Sequence, residues 1–228
     1  MASPGAHSTI VVVTGGDPVR PSDRAHVPGG ALVIAADSGI DHAHALGLRV
    51  DVAVGDFDSA SPSALARAEA DGASVERHPA AKDATDLELA LDAALARGPE
   101  RVVVLGGGGG RVDHLLANAA LLAADRYADV DLVAHLGGAT VTVVRRSSEL
   151  HGARGELVSL LAVHRPAVGV RTDGLLYPLA GEDLLPGSTR GVSNELVASP
   201  ASVSLADGVL LVVQPGQIGT HHLRRDTR

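Results

Sequence analysis

The chain has 228 residues, a hydrophobic fraction of 45% and a net charge of −8 at pH 7, so it can fold into one large domain or two smaller ones and is too apolar to be disordered as a whole. It contains no cysteine, which excludes disulfides and thiolate chemistry. An acidic chain without basic clusters is also a poor candidate for binding nucleic acid. We expect a cytoplasmic protein with no membrane segment, because no signal pattern begins the sequence and its apolar runs are too short to span a bilayer.

The first part of the chain alternates apolar β-type segments with helical segments. The predicted strands cover 9–13, 31–35, 50–54 and 101–105, and the predicted helices cover 61–71, 85–97 and 113–124. Thr85 and Glu88 have the spacing of a capping box, and Asp113 is the expected cap of the last helix. Continuous apolar runs are typical of strands buried on both faces, so we predict an open, mostly parallel α/β sheet.

The pattern changes near residue 136, beyond which only short β segments and turns follow. The predicted strands cover 140–144, 156–163, 168–172, 201–205 and 209–213. Gly, Pro and Asp separate them, which indicates an antiparallel β domain. We therefore divide the chain into an α/β catalytic, nucleotide-binding domain at 1–136 and an all-β domain at 137–228.

Acidic turns follow the predicted strands of the first domain. Asp37 follows one strand, and Asp56 and Asp58 follow the next. If the extended geometry continues past Gly55, Asp56 and Asp58 point to the same side, roughly 7 Å apart. Asp is also common in turns, but carboxylates that converge at the carboxyl ends of parallel strands are suited to Mg²⁺.

A run of five glycines, Gly106 to Gly110, precedes Arg111. It is neither a Walker A loop nor a dinucleotide fingerprint. Successive glycines cost conformational entropy, so they favour a place where backbone N–H groups closely approach a ligand such as phosphate. Lys82, beside the positive end of the following helix, also fits best with an anionic ligand. These features predict magnesium-nucleotide chemistry.

The chain resembles the thiamine pyrophosphokinase family over about 9–213. The ordered motifs that carry the resemblance are Asp37-Ser38-Gly39, Gly55-Asp56-Phe57-Asp58-Ser59, Lys82-Asp83-Ala84-Thr85-Asp86, Arg111-Val112-Asp113-His114 with Asn118, Gly174-Leu175-Leu176-Tyr177-Pro178-Leu179, and Ser188-Thr189-Arg190-Gly191-Val192-Ser193-Asn194-Glu195. The resemblance implies an α/β domain followed by a β-sandwich, and a homodimer with thiamine between the α/β domain of one subunit and the β domain of the other. It also implies transfer of the β,γ-diphosphoryl group of ATP to the thiamine hydroxyl.

The same resemblance implies residue roles. Asp56, Asp58 and Asp86 would hold Mg²⁺ and the polyphosphate, while Lys82 and Arg111 would pair with phosphates. Asp58 and Asp86 both remain candidates for accepting the hydroxyl proton. Tyr177, Ser193 and Asn194 would contact thiamine. The positions expected to contact the nucleotide are Asp37, Ser38, Gly39, Ser59, Asp83, Thr85, Gly106, Gly107, Gly108, Gly109, Gly110, Asp113, His114 and Asn118.

One departure from the family concerns the aromatic residues. Some members place a Trp in the last strand against the vitamin, whereas this chain has no Trp and its segment 209–213 is aliphatic, so weaker binding of the thiazolium ring is expected. Two alternatives stay open from the residues. One is a related diphosphotransferase acting on another heterocyclic alcohol such as a hydroxymethylpterin, and the other is a thiamine- or nucleotide-binding protein without turnover.

Overall fold

The computed structural model describes residues 8–81, 83–109 and 111–216. Within these ranges the chain forms two compact units. The first contains residues 8–137 with 141–143, and the second contains 138–140 with 144–216. In the described ranges, no helix is long and apolar enough to cross a membrane.

The first unit is built on six parallel strands. Their bounds are β1 (Thr9–Thr14), β2 (Leu32–Ala36), β3 (Val52–Gly55), β4 (Ser74–Arg77), β5 (Arg101–Leu105) and β6 (Asp131–Leu136). They lie in the order β6-β5-β1-β2-β3-β4, and every neighbouring pair is parallel. The helices are α1 (Gly39–Ala45), α2 (Pro62–Ala70), α3 (Asp86–Leu95) and α4 (Val112–Leu122), with 3-10 segments at Pro21–His26 and Asp125–Tyr127.

The predicted α/β architecture is confirmed. Strand β1 is fully buried from Ile10 to Val13, which is the burial that a continuous apolar run requires in a parallel sheet. Two strands and one α-helix were not predicted, nor were the two 3-10 segments. Strand β4 is a mostly polar edge strand, β6 begins with Asp131 and contains His135, and α1 is a short helix with two histidines.

The second unit is antiparallel. Its strands are β8 (Ser147–Leu150), β9 (Leu157–Ala162), β10 (Ala167–Asp173), β11 (Ala180–Leu184), β12 (Asn194–Glu195), β13 (Ala201–Ser204) and β14 (Leu210–Gln214), and β7 (Ala139–Val144) lies where the chain passes between the units. Strand β9 pairs with β12 and β14, while β10 pairs with β11 and β13, and β13 pairs with β8. Residues of both groups share one hydrophobic cluster, as in the predicted sandwich. Strands β8, β11 and β12 were not predicted.

Gly39, the first residue of α1, allows that helix to rest directly on β1. A Cβ at this position would overlap the carbonyl oxygen of Val13 and lie 2.9 Å from Cα of Thr14. Neither backbone atom can rotate away, so the close contact requires glycine. The glycine of the Asp37-Ser38-Gly39 motif therefore has a packing role.

We expect Gly39→Ala to lower the free energy of unfolding by about 1–3 kcal/mol, since overpacking must displace a strand or a helix. The matched control is Gly29→Ala, because nothing lies within 4 Å of a Cβ built at Gly29. Urea unfolding should place this control within about 0.5 kcal/mol of the wild type. Equal stability of the two variants would contradict the proposed packing role.

A stacked pair of histidines joins the segment Pro21–His26 to β6. The rings of His26 and His135 are 3.6 Å apart between centroids, with an interplanar angle of 14°. Burial, and then the charge of His26, lower the pKa of His135 to about 4; Asp23 opposes this shift, while Arg101 and Arg20 add to it. The folded protein therefore keeps His135 neutral at pH values where the unfolded chain protonates it.

This pKa predicts acid sensitivity in a definite range. Neutral, buried His135 contributes its full stabilisation above the unfolded pKa of about 6.5. This contribution is lost as the pH falls toward the folded pKa of about 4, because the unfolded chain then binds a proton that the folded protein does not. We expect His135→Phe, which keeps a flat ring, to reduce this loss by on the order of 2 kcal/mol. Urea unfolding of the wild type and the variant at pH 7, 5.5 and 4.5 measures this loss of stability. Identical pH profiles of the two proteins would refute the low pKa of His135.

Candidate active site

Three carboxylates meet at the carboxyl ends of β2 and β3. Asp37 follows β2, and Asp56 and Asp58 follow β3. One oxygen from each of the three lies within 4.8 Å of the others. Because β2 and β3 are parallel neighbours, their ends share an edge of the sheet, as expected for ligand sites in open α/β sheets.

The turn after β3 brings its two aspartates together in a way that an extended strand does not. Strand β3 ends at Gly55, and Phe57 has a left-handed φ of 62°, which is uncommon for a bulky residue. The Phe57 ring packs against the core and lies 5.0 Å from the Arg77 guanidinium carbon. The partly buried ring thus anchors the turn that carries Asp56 and Asp58. The expected spacing of roughly 7 Å assumed that the strand continues past Gly55. Strand β3 ends at Gly55, so that assumption does not hold.

Asp37 is the most strained and most buried of the three. It has a φ of 47° and is 8% exposed, and its Oδ1 is buried with no hydrogen-bond partner among the described residues. Burial raises the pKa of Asp37, the charges of Asp86 and Asp58 raise it further, and backbone hydrogen bonds from Ser38 and Ser59 oppose the increase. A buried, unsatisfied carboxylate oxygen beside other carboxylates fits a hard divalent cation.

A cavity of about 660 Å³ contains this cluster. The predicted site residues that line it are Asp37, Ser38, Asp56, Asp58, Ser59, Thr85, Asp86, Gly107, Gly108, Gly109, Arg111, His114 and Asn118. Asp86 is the first residue of α3, and Thr85 caps that helix by accepting a hydrogen bond from the Glu88 N–H at 3.2 Å. The structure therefore brings most of the sequence motifs into one concave site.

The glycine loop is attached to a second loop that was not predicted as part of the site. The Gly107 N–H donates to the Gly15 carbonyl at 2.7 Å, and the Asp17 N–H donates to the Gly108 carbonyl at 2.8 Å. Gly15, Gly16 and Asp17 also line the cavity. Their sequence signal was available, because a Gly-Gly-Asp turn follows β1 just as acidic turns follow β2 and β3.

Arg111 precedes α4 and forms an ion pair with Asp113 at 2.6 Å, with both side chains exposed. The helix begins at Val112, so the expectation that Asp113 caps it is wrong, and Arg111 occupies the cap position. The hydrogen bond from Arg111 lowers the pKa of Asp113 to about 2. Arg111 thus lines the cavity with its charge already shared with a neighbouring carboxylate.

Other predicted residues support the cavity or lie outside its lining. Asn118 is buried and donates from Nδ2 to the Gly107 carbonyl at 3.5 Å, so it supports the glycine loop. Gly39, Asp83, Gly106 and Asp113 are not among the residues that line the cavity. The Gly106 N–H donates to the His135 carbonyl. Lys82 and Gly110 lie outside the described residues.

The predicted thiamine-contacting residues lie together in the second unit. Tyr177 is 65% exposed, whereas Asn194 is 5% exposed. The Asn194 side-chain amide bonds to the backbone of Tyr177 through both Oδ1 and Nδ2. Ser193 has a left-handed φ of 59°, and its N–H donates to Ser159 Oγ at 3.1 Å.

Comparison with known proteins gives one consistent result. Residues 28–134 match the thiamin pyrophosphokinase catalytic domain, and residues 142–210 match the thiamin pyrophosphokinase vitamin B1 binding domain. A thiamine pyrophosphokinase of Bacillus subtilis is 29% identical over 218 residues, which cover 90% of this chain and 98% of the relative.

Solved structures agree with these matches. A crystal structure of thiamine pyrophosphokinase from Bacillus subtilis superposes with a TM-score of 0.80 at 27% identity and covers 92% of this chain and 100% of its own. The thiamin pyrophosphokinase from Candida albicans has a TM-score of 0.70 at 14% identity, over 94% of this chain and 95% of its own; this second likeness concerns the fold alone.

Asp37→Asn tests the electrostatic cost of the cluster. In metal-free protein we expect the free energy of unfolding to rise by on the order of 1 kcal/mol, because a buried charge near other carboxylates is removed. Mg²⁺ should raise the melting temperature of the wild type more than that of the variant. Asp129→Asn, at an exposed aspartate, should leave both measurements unchanged. A destabilised Asp37→Asn protein with an unaltered Mg²⁺ response would exclude Asp37 from the metal site.

Proposed function

Because this chain belongs to the thiamin pyrophosphokinase family, we propose that it transfers the β,γ-diphosphoryl group of ATP to the hydroxyl of thiamine, giving thiamine diphosphate and AMP. The observation that carries the proposal is the convergence of Asp37, Asp56 and Asp58 within 4.8 Å in a cavity that the glycine loop also lines. In phosphoryl transfer, the protein mainly positions the reactants and offsets the charge of the phosphate groups.

We assign the metal to Asp37, Asp56 and Asp58, with Asp86 beside them. The donors are all carboxylate oxygens, which suit Mg²⁺, and the buried Oδ1 of Asp37 has no hydrogen-bond partner among the described residues. Bound Mg²⁺ would offset the charge of the phosphate oxygens during transfer. Asp37, which the sequence motifs indicated as a nucleotide contact, joins the metal ligands here because of its distance to the other two carboxylates.

The polyphosphate is assigned to other groups that line the same cavity. The glycine loop offers backbone N–H groups, which bind phosphate oxygens without introducing a side chain. Arg111 lines the cavity and exchanges its pairing with Asp113 for pairing with a phosphate. Lys82 is assigned the same role from its motif alone. With a net charge of −8, the protein needs these local cations to bind a nucleotide.

During the transfer, the thiamine oxygen forms a bond to the β-phosphorus as the bond from that phosphorus to the α,β-bridging oxygen breaks. The bridging oxygen leaves with AMP. The proton of the thiamine hydroxyl passes to a carboxylate, for which Asp58 and Asp86 are the candidates within the cavity. The attacking and leaving oxygens must lie roughly in line, so the fixed turns after β2 and β3 position the phosphates.

Thiamine is assigned to the second unit, whose residues match a vitamin B1 binding domain. Tyr177, Ser193 and Asn194 mark the expected surface.

We also propose a homodimer and a cytoplasmic location, as the family resemblance and the cysteine-free composition suggest. Light scattering coupled to gel filtration measures the oligomeric state. The family matches favour thiamine over another heterocyclic alcohol.

Product analysis with ATP, thiamine and Mg²⁺ tests the function. We expect equal amounts of thiamine diphosphate and AMP, and no product after addition of EDTA. Asp56→Asn and Asp58→Asn should each lower kcat by about 10²–10³-fold, since each weakens charge stabilisation in the transfer. The fold should survive, as shown by unchanged circular dichroism.

Asp129→Asn is the control, because it neutralises an exposed carboxylate outside the cavity lining. Turnover at the wild-type rate in both Asp56→Asn and Asp58→Asn would refute the metal assignment. ATP consumption without thiamine diphosphate would point to a different acceptor.

A further inference from the structure

Two segments of the second unit run side by side. The Leu176 N–H donates to the Glu195 carbonyl at 2.9 Å, and the Val197 N–H donates to the Gly174 carbonyl at 2.8 Å. Between these two bonds, Leu175 and Leu196 form an antiparallel bridge. Continuing this pairing by two residues beyond the bridge places Tyr177 opposite Asn194.

At Tyr177 a side chain replaces the backbone partner. The Tyr177 N–H donates to Asn194 Oδ1 at 3.0 Å, and Asn194 Nδ2 donates to the Tyr177 carbonyl at 2.8 Å. Oδ1 also accepts from the Glu195 N–H at 2.9 Å. One buried amide thus satisfies both backbone polar groups of Tyr177, as a peptide group of a neighbouring strand would.

The chain after Tyr177 is fixed as well. Pro178 restricts the backbone of the residue before it. The Leu179 N–H then donates to Thr172 Oγ1, and the Thr172 N–H donates to the Leu179 carbonyl, both at 2.9 Å. Tyr177 is therefore held from both sides, although most of its own surface is in solvent.

Among the described residues, Tyr177 is also the only Phe, Tyr or Trp that is mostly exposed. The chain has three such residues. Phe57 packs against the core of the first unit, and Tyr127 is 3% exposed and donates to Asp92 Oδ1 at 2.8 Å. A fixed backbone carrying an exposed aromatic ring suits binding, because little conformational entropy remains to be lost when a ligand arrives.

We propose that Asn194 is a positioning residue that fixes Tyr177, and that the Tyr177 ring is the surface against which the cationic heteroaromatic ring of thiamine packs. This inference rests on the proposed function and changes one part of it, since the Asn194 amide acts through Tyr177 instead of contacting the vitamin. It also supplies the aromatic contact that the aliphatic segment 209–213 lacks, because a cationic ring is attracted to the face of a tyrosine.

A double-mutant cycle separates the two roles of Asn194. Asn194→Ala and Tyr177→Ala should each raise KM for thiamine about tenfold, with kcat and KM for ATP within about twofold. The double variant should bind thiamine no worse than Tyr177→Ala alone, because the second change removes support from a ring that is already gone. If the double variant instead raised KM for thiamine by the product of the two single effects, about a hundredfold, Asn194 would contact thiamine independently. That result would overturn the proposal.

The matched control is Asp183→Ala, which removes another side-chain to backbone bond of the same unit, from the Gly169 N–H at 2.8 Å. It should leave KM for thiamine unchanged. If Asn194→Ala does not fold, Asn194→Asp replaces it; the carboxylate keeps the acceptor for the Tyr177 N–H, loses the donor and sets a negative charge beside the Tyr177 carbonyl. This variant should raise KM for thiamine less than Tyr177→Ala does; a larger increase would overturn the proposal.

Amide hydrogen exchange tests the positioning without any turnover. Asn194→Ala should accelerate exchange at Tyr177 by about tenfold or more, while the Leu176 amide, bonded to the Glu195 carbonyl, keeps its rate. Unchanged exchange at Tyr177 would overturn the positioning role. A wild type that makes no thiamine diphosphate would overturn the proposed function and the thiamine part of this inference, and the exchange rates would still decide whether Asn194 fixes Tyr177.

Discussion

The repulsion between three carboxylates within 4.8 Å of one another is the constraint on which the catalytic unit depends. In water such groups would separate, and here the parallel pairing of β2 with β3 keeps the two turns that carry them at one edge of the sheet. The buried strands supply the stability that offsets the repulsion. Burial is the main cause of the raised pKa of Asp37, and the charges of Asp86 and Asp58 add to it. In the proposed function, a divalent cation bound to these carboxylates would relieve their repulsion.

A second constraint is the close approach of backbone to backbone around the cavity. The loop after β1 and the glycine loop after β5 bond directly to each other, and a Cβ at Gly16 would lie 2.6 Å from the Gly108 carbonyl oxygen. Glycine is needed at this junction because a side chain at Gly16 would force the two loops apart. In the proposed function, the backbone of these loops would bind the phosphates and the aspartate side chains would bind the metal ion, within the same cavity.

Sequence patterns predicted the elements whose residues are buried. They did not predict features that depend on contacts between distant parts of the chain. The apolar runs located β1, β2, β3 and β5, and the order of acidic turns located the cavity. The turn at Phe57 could not be predicted, because its left-handed conformation depends on a ring anchored in the core. The predicted metal set was Asp56, Asp58 and Asp86; the distances group Asp37 with Asp56 and Asp58, while the role of Asp86 stays a prediction. For Asn194, the residue type suggested hydrogen bonding, but only the three-dimensional pairing of Asn194 with Tyr177 identifies the partner.

Strand β4 has a consequence for how this molecule associates with others. It pairs with β3 on one side and forms the end of the sheet. Its sequence, Ser74-Val75-Glu76-Arg77, is mostly polar, and Glu76 and Arg77 form ion pairs with Arg97 and Glu69. Charged side chains on a short edge strand discourage the addition of a strand from a neighbouring molecule. Because β4 is mostly polar, a search for apolar runs does not find it. The same polar composition protects the open edge of the catalytic sheet against aggregation.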